Sequence, residues 1–384
     1  MRVSGIREHT ADGVTEVSAQ IGGFTLFYQF SGVRAISMRG DAFLAASLIP
    51  AMAKGETLEI DPAMPVSPRL LAGADRIQDV LHSWNPKLSK VAIRAEISPS
   101  SSVCDDVASF FSGGVDGGYT FLKHADEISL LITIQGMEIS LDNQRLAAQV
   151  WSKTQQTAQQ LGKQCVLVRC NTRELCAEMR LAMALFHGAM LGSIALLLGC
   201  RRTYIPSSFP YSNLHPWGSH VLLDPYWTTE GCEIIHDGAE ATRPQKLEKI
   251  CQSPELLHAL RVCNGNGDYN CGHCGKCLRT MIALRLMGVQ SEAFPRDNVM
   301  DRLKTLEVNN KSDVAFFQQN HALALQRGDH EVARVLRRCV RRYEIRKFAR
   351  EFDDVVLGGL SRRMYRRVRP APPRDDIIQV DPVD

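Results

Sequence analysis

A chain of 384 residues with 45% hydrophobic and 23% charged side chains can bury a sizeable core and is long enough for two or three domains. The formal net charge of +3 is close to neutral for this size, so charge alone does not indicate a nucleic-acid partner. The sequence has no run of about 18 apolar residues and its first residues lack the apolar core of a signal peptide, which predicts a cytoplasmic protein without a membrane partner.

Residues 1–102 are predicted to form an N-terminal unit rich in β-structure. Alternating runs at 16–21 and 24–28 predict two strands joined by a Gly-Gly turn. The apolar run 42–52 predicts a helix, and 91–97 predicts a strand that closes the unit. A stretch containing Pro and Ser follows, which is typical of a boundary between units.

The middle segment, residues 103–290, alternates predicted strands with predicted helices. Such alternation is typical of an α/β fold with a parallel sheet covered by helices on both faces. Ligands of such sheets bind at the carboxyl ends of the strands. The predicted strands are 107–111, 128–134, 165–168 and 203–205, and the predicted helices are 144–160 and 181–198.

The last segment, residues 291–384, is predicted to be a helical basic extension. An arginine-rich helix can bind phosphate backbones, but four acidic residues between 344 and 354 favour a solvated face. The tail from Pro370 is rich in Pro and Asp, which predicts disorder. The arginines lie mostly three or four positions apart, at Arg334, Arg337, Arg338, Arg341, Arg342, Arg346 and Arg350.

A Gly-rich turn, residues 112–118, follows the first predicted strand of the middle segment and precedes a helix. Glycines let the backbone approach a phosphate, and successive N–H groups at a helix start attract anions. The Ser112 hydroxyl can donate to a phosphate oxygen. The carboxylate of Asp116 is unfavourable beside a phosphate unless it has a specific role, such as helping to hold Mg²⁺. The lysine of the Walker motif is absent. A tight strand-to-helix turn without a ligand is the alternative.

The strand, the Ser-Gly-Gly-x-Asp turn and the helix resemble the pyrophosphate loop of the adenine nucleotide alpha-hydrolase-like (PP-loop, HUP-type) superfamily. The resemblance implies a parallel sheet of that type and an enzyme that cleaves ATP to AMP and pyrophosphate while adenylating a substrate oxygen. The superfamily motif usually continues with Ser, whereas this chain has Gly117. The resemblance assigns six residues to ATP binding: Ser112, Gly113, Gly114, Val115, Asp116 and Gly117.

Four of the twelve cysteines form a group that we call the four-cysteine cluster: Cys263, Cys271, Cys274 and Cys277. A disulfide framework is not expected in a reducing cytosol, whereas Cys-x-x-Cys steps with intervening glycines predict a structural zinc site, or zinc knot. His273 is a conceivable substitute ligand, and an iron–sulfur cluster or redox chemistry are alternatives. Such a cluster after a Ser-Gly-Gly-x-Asp turn is similar to the 7-cyano-7-deazaguanine synthase family. This resemblance covers about residues 107–290 and implies a ligase that adds nitrogen.

Residues 214–227 lie between the Gly-rich turn and the four-cysteine cluster. They are predicted to shape a substrate pocket, because loops at strand ends carry function. Trp217 could stack on a planar ring, and His220 or Asp224 could bind polar edges or move a proton. His187 lies in an otherwise apolar helix and could face the nucleotide. For each single residue, a structured loop or a satisfied core side chain is the alternative.

Arg243 and Lys246 open a predicted helix, where positive charge opposes the helix dipole unless an anion lies nearby. We expect a contact with ATP, and a solvated surface lysine is the alternative. Cys170 follows the third predicted strand. Thiolating members of the superfamily carry sulfur on a cysteine, and Cys170 is the best placed for this role. The alternative is a small core residue.

The sequence therefore predicts an enzyme that binds ATP, Mg²⁺ and Zn²⁺, adenylates a small heterocyclic substrate and then substitutes nitrogen. Its predicted catalytic residues are Asp116, Lys246 and Cys170. A sulfur transferase that makes a thioamide or thio-nucleobase, and a degenerate module that only binds nucleotide, stay open. The expected partners are the small-molecule substrate and an ammonia or sulfur donor. Nucleic acid is not favoured, and a homodimer is left open.

Overall fold

A computed structural model describes residues 1–33, 35–263, 265, 267–296, 299–306, 308, 311–356 and 377–379. The chain divides into two compact units. The first comprises Met1–Ala241 and a short segment that begins at Ile378, and the second comprises Thr242–Ile377. The division of the sequence into segments 1–102, 103–290 and 291–384 stays a prediction.

Ten strands are described in the first unit. They are β1 (Val3–Ala11), β2 (Val14–Ile21), β3 (Phe24–Ser31), β4 (Leu58–Glu59), β5 (Ile93–Arg94), β6 (Cys104–Phe110), β7 (Leu130–Gln135), β8 (Gln164–Cys170), β9 (Cys200–Pro206) and β10 (Glu233–Asp237). Eight of them form one sheet in the order β1-β2-β3-β8-β7-β6-β9-β10, and β4 pairs with β5. The α/β fold class is confirmed.

Five neighbouring strands, β8, β7, β6, β9 and β10, are parallel. Five of the six residues of β7 are buried, as expected for a parallel strand that is covered on both faces. The chain places β7 and β8 on one side of β6 and then returns to place β9 and β10 on the other side. The strand order therefore reverses at β6, the middle strand of this parallel group.

Strands β1, β2 and β3 extend the same sheet beyond β8 as antiparallel strands. Gly22 and Gly23 form the predicted turn between β2 and β3, and both have positive φ, at 53° and 95°. Tyr28 of β3 is fully buried, and its hydroxyl lies 2.7 Å from Oγ of Ser193. The β-rich N-terminal segment therefore shares its core with the parallel strands.

Six helices are described in the first unit: α1 (Asp41–Lys54), α2 (Pro68–Trp84), α3 (Val115–Lys123), α4 (Gln144–Gln160), α5 (Thr172–Glu178) and α6 (Met183–Leu198). The bounds predicted for α4 are confirmed. Helix α6 is apolar on all sides and almost completely buried, and it ends at Gly199 in the left-handed conformation. Among the described residues, no helix has both the length and the apolar character that a membrane crossing requires.

The second unit is helical in its described part. Its helices are α7 (Arg243–Ile250), α8 (Pro254–His258), α9 (Gly275–Leu286), α10 (Val299–Thr305), α11 (Lys311–Gln326) and α12 (His330–Val356). The predicted helical character after residue 291 is confirmed by α10, α11 and α12. Most of the tail predicted to be disordered lies outside the described residues.

The predicted strands of the middle segment correspond to β6, β7, β8 and β9, with ends that differ by one to three residues. The strand predicted at 91–97 is reduced to the two residues of β5. The sequence does not predict β1, in which charged and polar residues interrupt the apolar alternation, or β10, which has only two apolar residues among five. Tertiary pairing, more than local pattern, makes these segments strands.

Candidate functional site

The carboxyl ends of the parallel strands meet at one edge of the sheet in the first unit. At this edge, β6 ends at Phe110, β9 ends at Pro206 and β10 ends at Asp237. In open α/β sheets, the reversal of strand order leaves a crevice outside these ends, and ligands bind there. This edge is therefore the candidate site.

The Gly-rich turn lies at this edge, between β6 and α3. Gly113 has a φ of +74°, a left-handed conformation that suits glycine. Gly114 precedes α3 in an extended conformation, and no side chain of the described residues caps the helix. Ser112 is exposed, and Asp116 lies in the first turn of α3. The turn thus has the backbone geometry of an anion-binding helix start.

Gly117 has a packing role at the start of α3. A Cβ atom at this position would lie 2.9 Å from the carbonyl oxygen of Phe110 and 3.5 Å from Cα of Phe111. Because the neighbouring atoms belong to the backbone of β6 and the turn, only a movement of α3 could relieve the closer contact. The close approach of this backbone therefore favours glycine at position 117.

We expect Gly117→Ser to lower the free energy of unfolding by about 1–3 kcal/mol, because the added atoms overpack the contact between α3 and β6. Urea unfolding of the full chain measures this change. Ser112→Ala, at an exposed position of the same turn, should stay within about 0.5 kcal/mol of wild type. Equal stability of Gly117→Ser and wild type would contradict the steric explanation.

Asp237, the last residue of β10, fastens α3 to the sheet. Its carboxylate accepts hydrogen bonds from Thr120 at 2.9 Å, Lys123 at 2.8 Å and His124 at 3.0 Å. Burial alone would raise the pKa of Asp237, but the hydrogen bonds from Lys123, His124 and Thr120 outweigh it and lower the pKa. The sequence does not predict this group, because Asp237 lies 113 to 117 positions along the chain from its three partners.

Three rings of the loop after β9 lie together with one ring of α6. We call these four rings the ring cluster: Phe209, His215, Trp217 and His187. The ring centre of Phe209 lies 4.3 Å from that of His215 and 5.8 Å from that of Trp217, both edge-to-face. His187, from α6, lies 6.4 Å from Trp217. Two residues predicted to bind substrate, His187 and Trp217, are thus brought together.

Asp224 is fully buried and binds His236 of β10, an arrangement that we call the Asp224–His236 pair. Oδ2 of Asp224 lies 2.7 Å from Nδ1 of His236 and 2.7 Å from the Ser219 hydroxyl, which donates to it. Because a carboxylate only accepts, His236 donates through Nδ1, and Nε2 of the neutral ring is an acceptor. Among the described residues, neither this Nε2 nor Oδ1 of Asp224 has a hydrogen-bond partner.

Buried polar atoms without a protein partner usually bind water or a ligand. The open acceptors of the Asp224–His236 pair would suit a donor, such as the N–H group of a heterocycle. Asp224 is a predicted site residue, whereas His236 is not predicted. Its signal in the sequence is weak, since it is a single histidine in a short strand that meets Asp224 only through the fold.

His220, the remaining predicted substrate residue, is described by a different set of contacts. Its ring packs edge-on against Trp84 with centres 5.1 Å apart, and its Nδ1 accepts from the N–H of Leu222 at 3.0 Å. Burial lowers the pKa of His220 to about 4. These contacts account for a neutral structural histidine, and a role in substrate binding stays a prediction.

The low pKa of His220 predicts that acid weakens the fold. The folded pKa of about 4 lies below the ordinary value of 6.5, so the folded chain resists protonation that the unfolded chain accepts. The contribution of His220 to stability is therefore complete above pH 6.5 and is lost as the pH falls toward 4. We expect His220→Asn to show a smaller loss of stability over this range than wild type.

The urea midpoint, measured from neutral pH to the acid end of this range, tests the expectation. Asn can still accept from the N–H of Leu222, so the comparison isolates the titration. His9→Asn, at an exposed position of β1, is the matched control and should lose stability as wild type does. A wild-type acid response in His220→Asn would show that other groups cause it.

Cys170, at the end of β8, is fully buried. Its sulfur lies 3.3 Å from Oγ1 of Thr172 and 3.8 Å from the carbonyl oxygen of Gln135. Burial raises the pKa of Cys170 to about 11, which disfavours the thiolate that sulfur transfer requires. The position at the sheet edge agrees with the prediction, but the environment favours a core residue.

The four-cysteine cluster lies in the second unit, with its four sulfur atoms within 4.8 Å of one another. The sulfur atoms of Cys263 and Cys274 are 3.9 Å apart, as are those of Cys271 and Cys277. A tetrahedral zinc ion with bonds of about 2.3 Å requires sulfur atoms about 3.8 Å apart. His273 is exposed, and its Nδ1 lies 2.8 Å from the carbonyl oxygen of Cys271. The four thiols thus suit zinc without His273.

Backbone groups stabilise negative charge on these sulfur atoms. The N–H of Cys274 donates to the sulfur of Cys271 at 3.3 Å, and the N–H of Cys277 donates to the sulfur of Cys274 at 3.5 Å. Helix α9 begins at Gly275, so the positive end of its dipole lies beside the thiols. The glycine-spaced sequence therefore provides both the ligands and part of their electrostatic support.

Asn270 shapes the loop that carries the first two cysteines. Its Oδ1 accepts from the N–H groups of Val262 at 3.0 Å and Cys263 at 3.3 Å. Its Nδ2 donates to the carbonyl oxygens of Leu260 at 2.9 Å and Ala293 at 2.8 Å. Asn270 is not among the residues predicted from the sequence, although its position directly before Cys271 is a signal that points to it.

Comparison with models of known protein families, with curated proteins and with solved structures finds no match for this chain. Function therefore has to be argued from the geometry and chemistry of the site itself.

Arg243 and Lys246 lie in the first turn of α7, in the second unit. The helix begins with a capping box formed by Thr242 and Gln245. The guanidinium carbon of Arg243 lies 5.7 Å from the centre of the Phe316 ring. Lys246 is only 1% exposed, so it is not a solvated surface lysine. Contact of either residue with ATP stays a prediction.

We expect the purified chain to bind one zinc ion and to lose it in Cys274→Ala, because three thiols and water hold zinc less firmly than four thiols. Metal analysis by plasma mass spectrometry after gel filtration measures the stoichiometry. His273→Ala is the matched control within the same loop and should keep the metal. Loss of zinc from His273→Ala, or iron in place of zinc, would contradict this assignment.

Proposed function

We propose that this chain binds ATP at the Gly-rich turn and adenylates an oxygen of a small planar substrate, releasing pyrophosphate. The observation that carries the proposal is the position of this turn. It follows the middle strand β6 at the reversal of strand order, and it opens a helix without a side-chain cap among the described residues. The resemblance to the PP-loop superfamily implies a parallel sheet, and the strands β8, β7, β6, β9 and β10 are parallel.

The turn would hold the pyrophosphate part of ATP. The backbone N–H groups of Gly113 and Gly114 would donate to phosphate oxygens, and the dipole of α3 favours negative charge at this point. Ser112 adds a hydroxyl donor. Asp116 would help to hold Mg²⁺, which neutralises phosphate charge when bound.

The substrate would lie against the ring cluster. Trp217 and Phe209 offer apolar ring surface to a planar molecule. The Asp224–His236 pair offers an acceptor at Nε2 of His236, which could bind a ring N–H or take a proton from the attacking group. The carboxylate of Asp224 orients the imidazole through the hydrogen bond at Nδ1.

Nitrogen is the favoured nucleophile in the second step. The sulfur alternative needs a reactive cysteine at the carboxyl edge of the sheet, and the proposed carrier, Cys170, is buried with a raised pKa. The spacing of the four-cysteine cluster supports the same choice through its resemblance to the 7-cyano-7-deazaguanine synthase family. The four thiols would hold zinc as a structural ion, and the proposed reaction does not use it.

Phosphorus NMR of ATP and Mg²⁺ with the purified chain tests the proposal. Carboxylates, purines and deazapurines are supplied in pools, with ammonia or sulfide. We expect AMP and pyrophosphate in one pool, with ammonia required for product. A requirement for sulfide would establish the sulfur transferase alternative. Release of ADP, or ATP binding without turnover in every pool, would contradict adenylation and favour a nucleotide-binding module.

Variants assign the residues once turnover is observed. Asp116→Asn should lower AMP formation by at least about tenfold, because it loses one charge contact in the transition state. His236→Gln should lower the rate of substrate turnover, while ATP binding stays unchanged. The matched control is His82→Gln, in α2, which should leave both unchanged. Full activity in Asp116→Asn would remove this residue from the proposed site.

A further inference from the structure

Cys104 and Cys200 form a thiol pair at the edge of the sheet opposite the Gly-rich turn. They are the first residues of the parallel strands β6 and β9, and their Cα atoms are register partners. Their sulfur atoms are hydrogen-bonded at 3.7 Å. Neither residue belongs to the four-cysteine cluster or to the proposed nucleotide site.

The two thiols have different environments. Cys200 is 1% exposed, whereas Cys104 is partly exposed. The hydrogen bond between the two sulfur atoms lowers the pKa of Cys104, and the same hydrogen bond together with burial raises the pKa of Cys200. Asp106 also faces the pair and opposes negative charge on Cys104. The first proton is therefore lost from the more accessible sulfur.

The thiol of Cys232 also acts on the pair. Cys232 is buried, its sulfur lies 3.8 Å from the carbonyl oxygen of Ala195, and burial raises its pKa to about 12. Its environment keeps the thiol protonated. Cys104 thus combines access with a partner thiol within reach, which are the features of a reactive cysteine beside a resolving one.

We propose that Cys104 and Cys200 are a site of reversible two-electron oxidation by hydroperoxides, which closes a disulfide between β6 and β9. The Cys104 thiolate attacks one peroxide oxygen, the O–O bond breaks, and a sulfenic acid forms at Cys104 as hydroxide leaves and takes a proton. The sulfur of Cys200 then attacks the sulfur of Cys104. The S–O bond breaks and the proton of Cys200 leaves with the hydroxyl group as water.

In sum, two thiols lose two electrons and two protons, and one hydrogen peroxide becomes two water molecules. Adjacent strands lie about 4.7–4.9 Å apart, within the range of Cα separations of about 4.4–6.8 Å that disulfides allow. The register of β6 and β9 shifts between Cys104 and Val107, but Cys104 and Cys200 are themselves paired. The bond would join the first residues of the middle strand and its neighbour. A thiol reductant reverses it by disulfide exchange.

The test treats the zinc-loaded full chain with hydrogen peroxide, blocks remaining thiols under denaturing conditions and maps the peptides by mass spectrometry. We expect a peptide pair linked through Cys104 and Cys200, lighter by two hydrogen atoms and separated again by a thiol reductant. Cys200→Ser should lose the link and accumulate sulfenic acid at Cys104, trapped by dimedone. Cys104→Ser should lose both signals.

Cys165→Ser is the matched control, because Cys165 is also partly exposed near the start of another parallel strand of the same sheet, β8, and burial raises its pKa. This variant should form the Cys104–Cys200 link as wild type does. The wild-type map alone can overturn the proposal, so the result does not depend on a variant that folds. Oxidation of Cys104 to sulfinic acid without a link, or equal oxidation of Cys104 and Cys165, would overturn the proposal.

Discussion

The pairing of β6 with both β7 and β9 is the constraint on which the candidate site depends. A strand that is hydrogen-bonded on both edges and covered on both faces has a fixed end, here Phe110. The chain must leave the sheet there and start α3 immediately. Gly113 supplies the left-handed turn, and Gly117 lets the helix return close to the carbonyl oxygen of Phe110. Asp237 then holds α3 against the sheet from β10.

The edge of this sheet carries two kinds of chemistry. Backbone N–H groups at the Gly-rich turn suit anions, and the ring cluster with the Asp224–His236 pair suits a planar molecule that has polar edges. An adenylating enzyme needs both kinds of group, because it brings a phosphorus atom of ATP to an oxygen of a second substrate. This combination, more than either part, supports the proposed function.

One group of cysteines can be recognised from its spacing along the chain, whereas the contacts and burial of the others depend on the fold. The four-cysteine cluster is visible in the sequence because its ligands lie close together along the chain and on tight turns. Cys104 and Cys200 lie 96 positions apart and become neighbours only because β6 pairs with β9. Cys170 has the position at the sheet edge that its predicted role requires, but complete burial, which no local pattern reports, decides its pKa.

The sequence by itself determined the α/β class, the bounds of α4, the Gly-rich turn and the four-cysteine cluster, because each depends on periodicity or spacing within a few residues. Only the tertiary structure decided that β1, β2 and β3 join the parallel strands and that His236 meets Asp224. The steric need for Gly117 also belongs to the tertiary structure. These features arise from strand order and from the close approach of distant backbone segments, which are set by the packing of the whole core rather than by any local pattern.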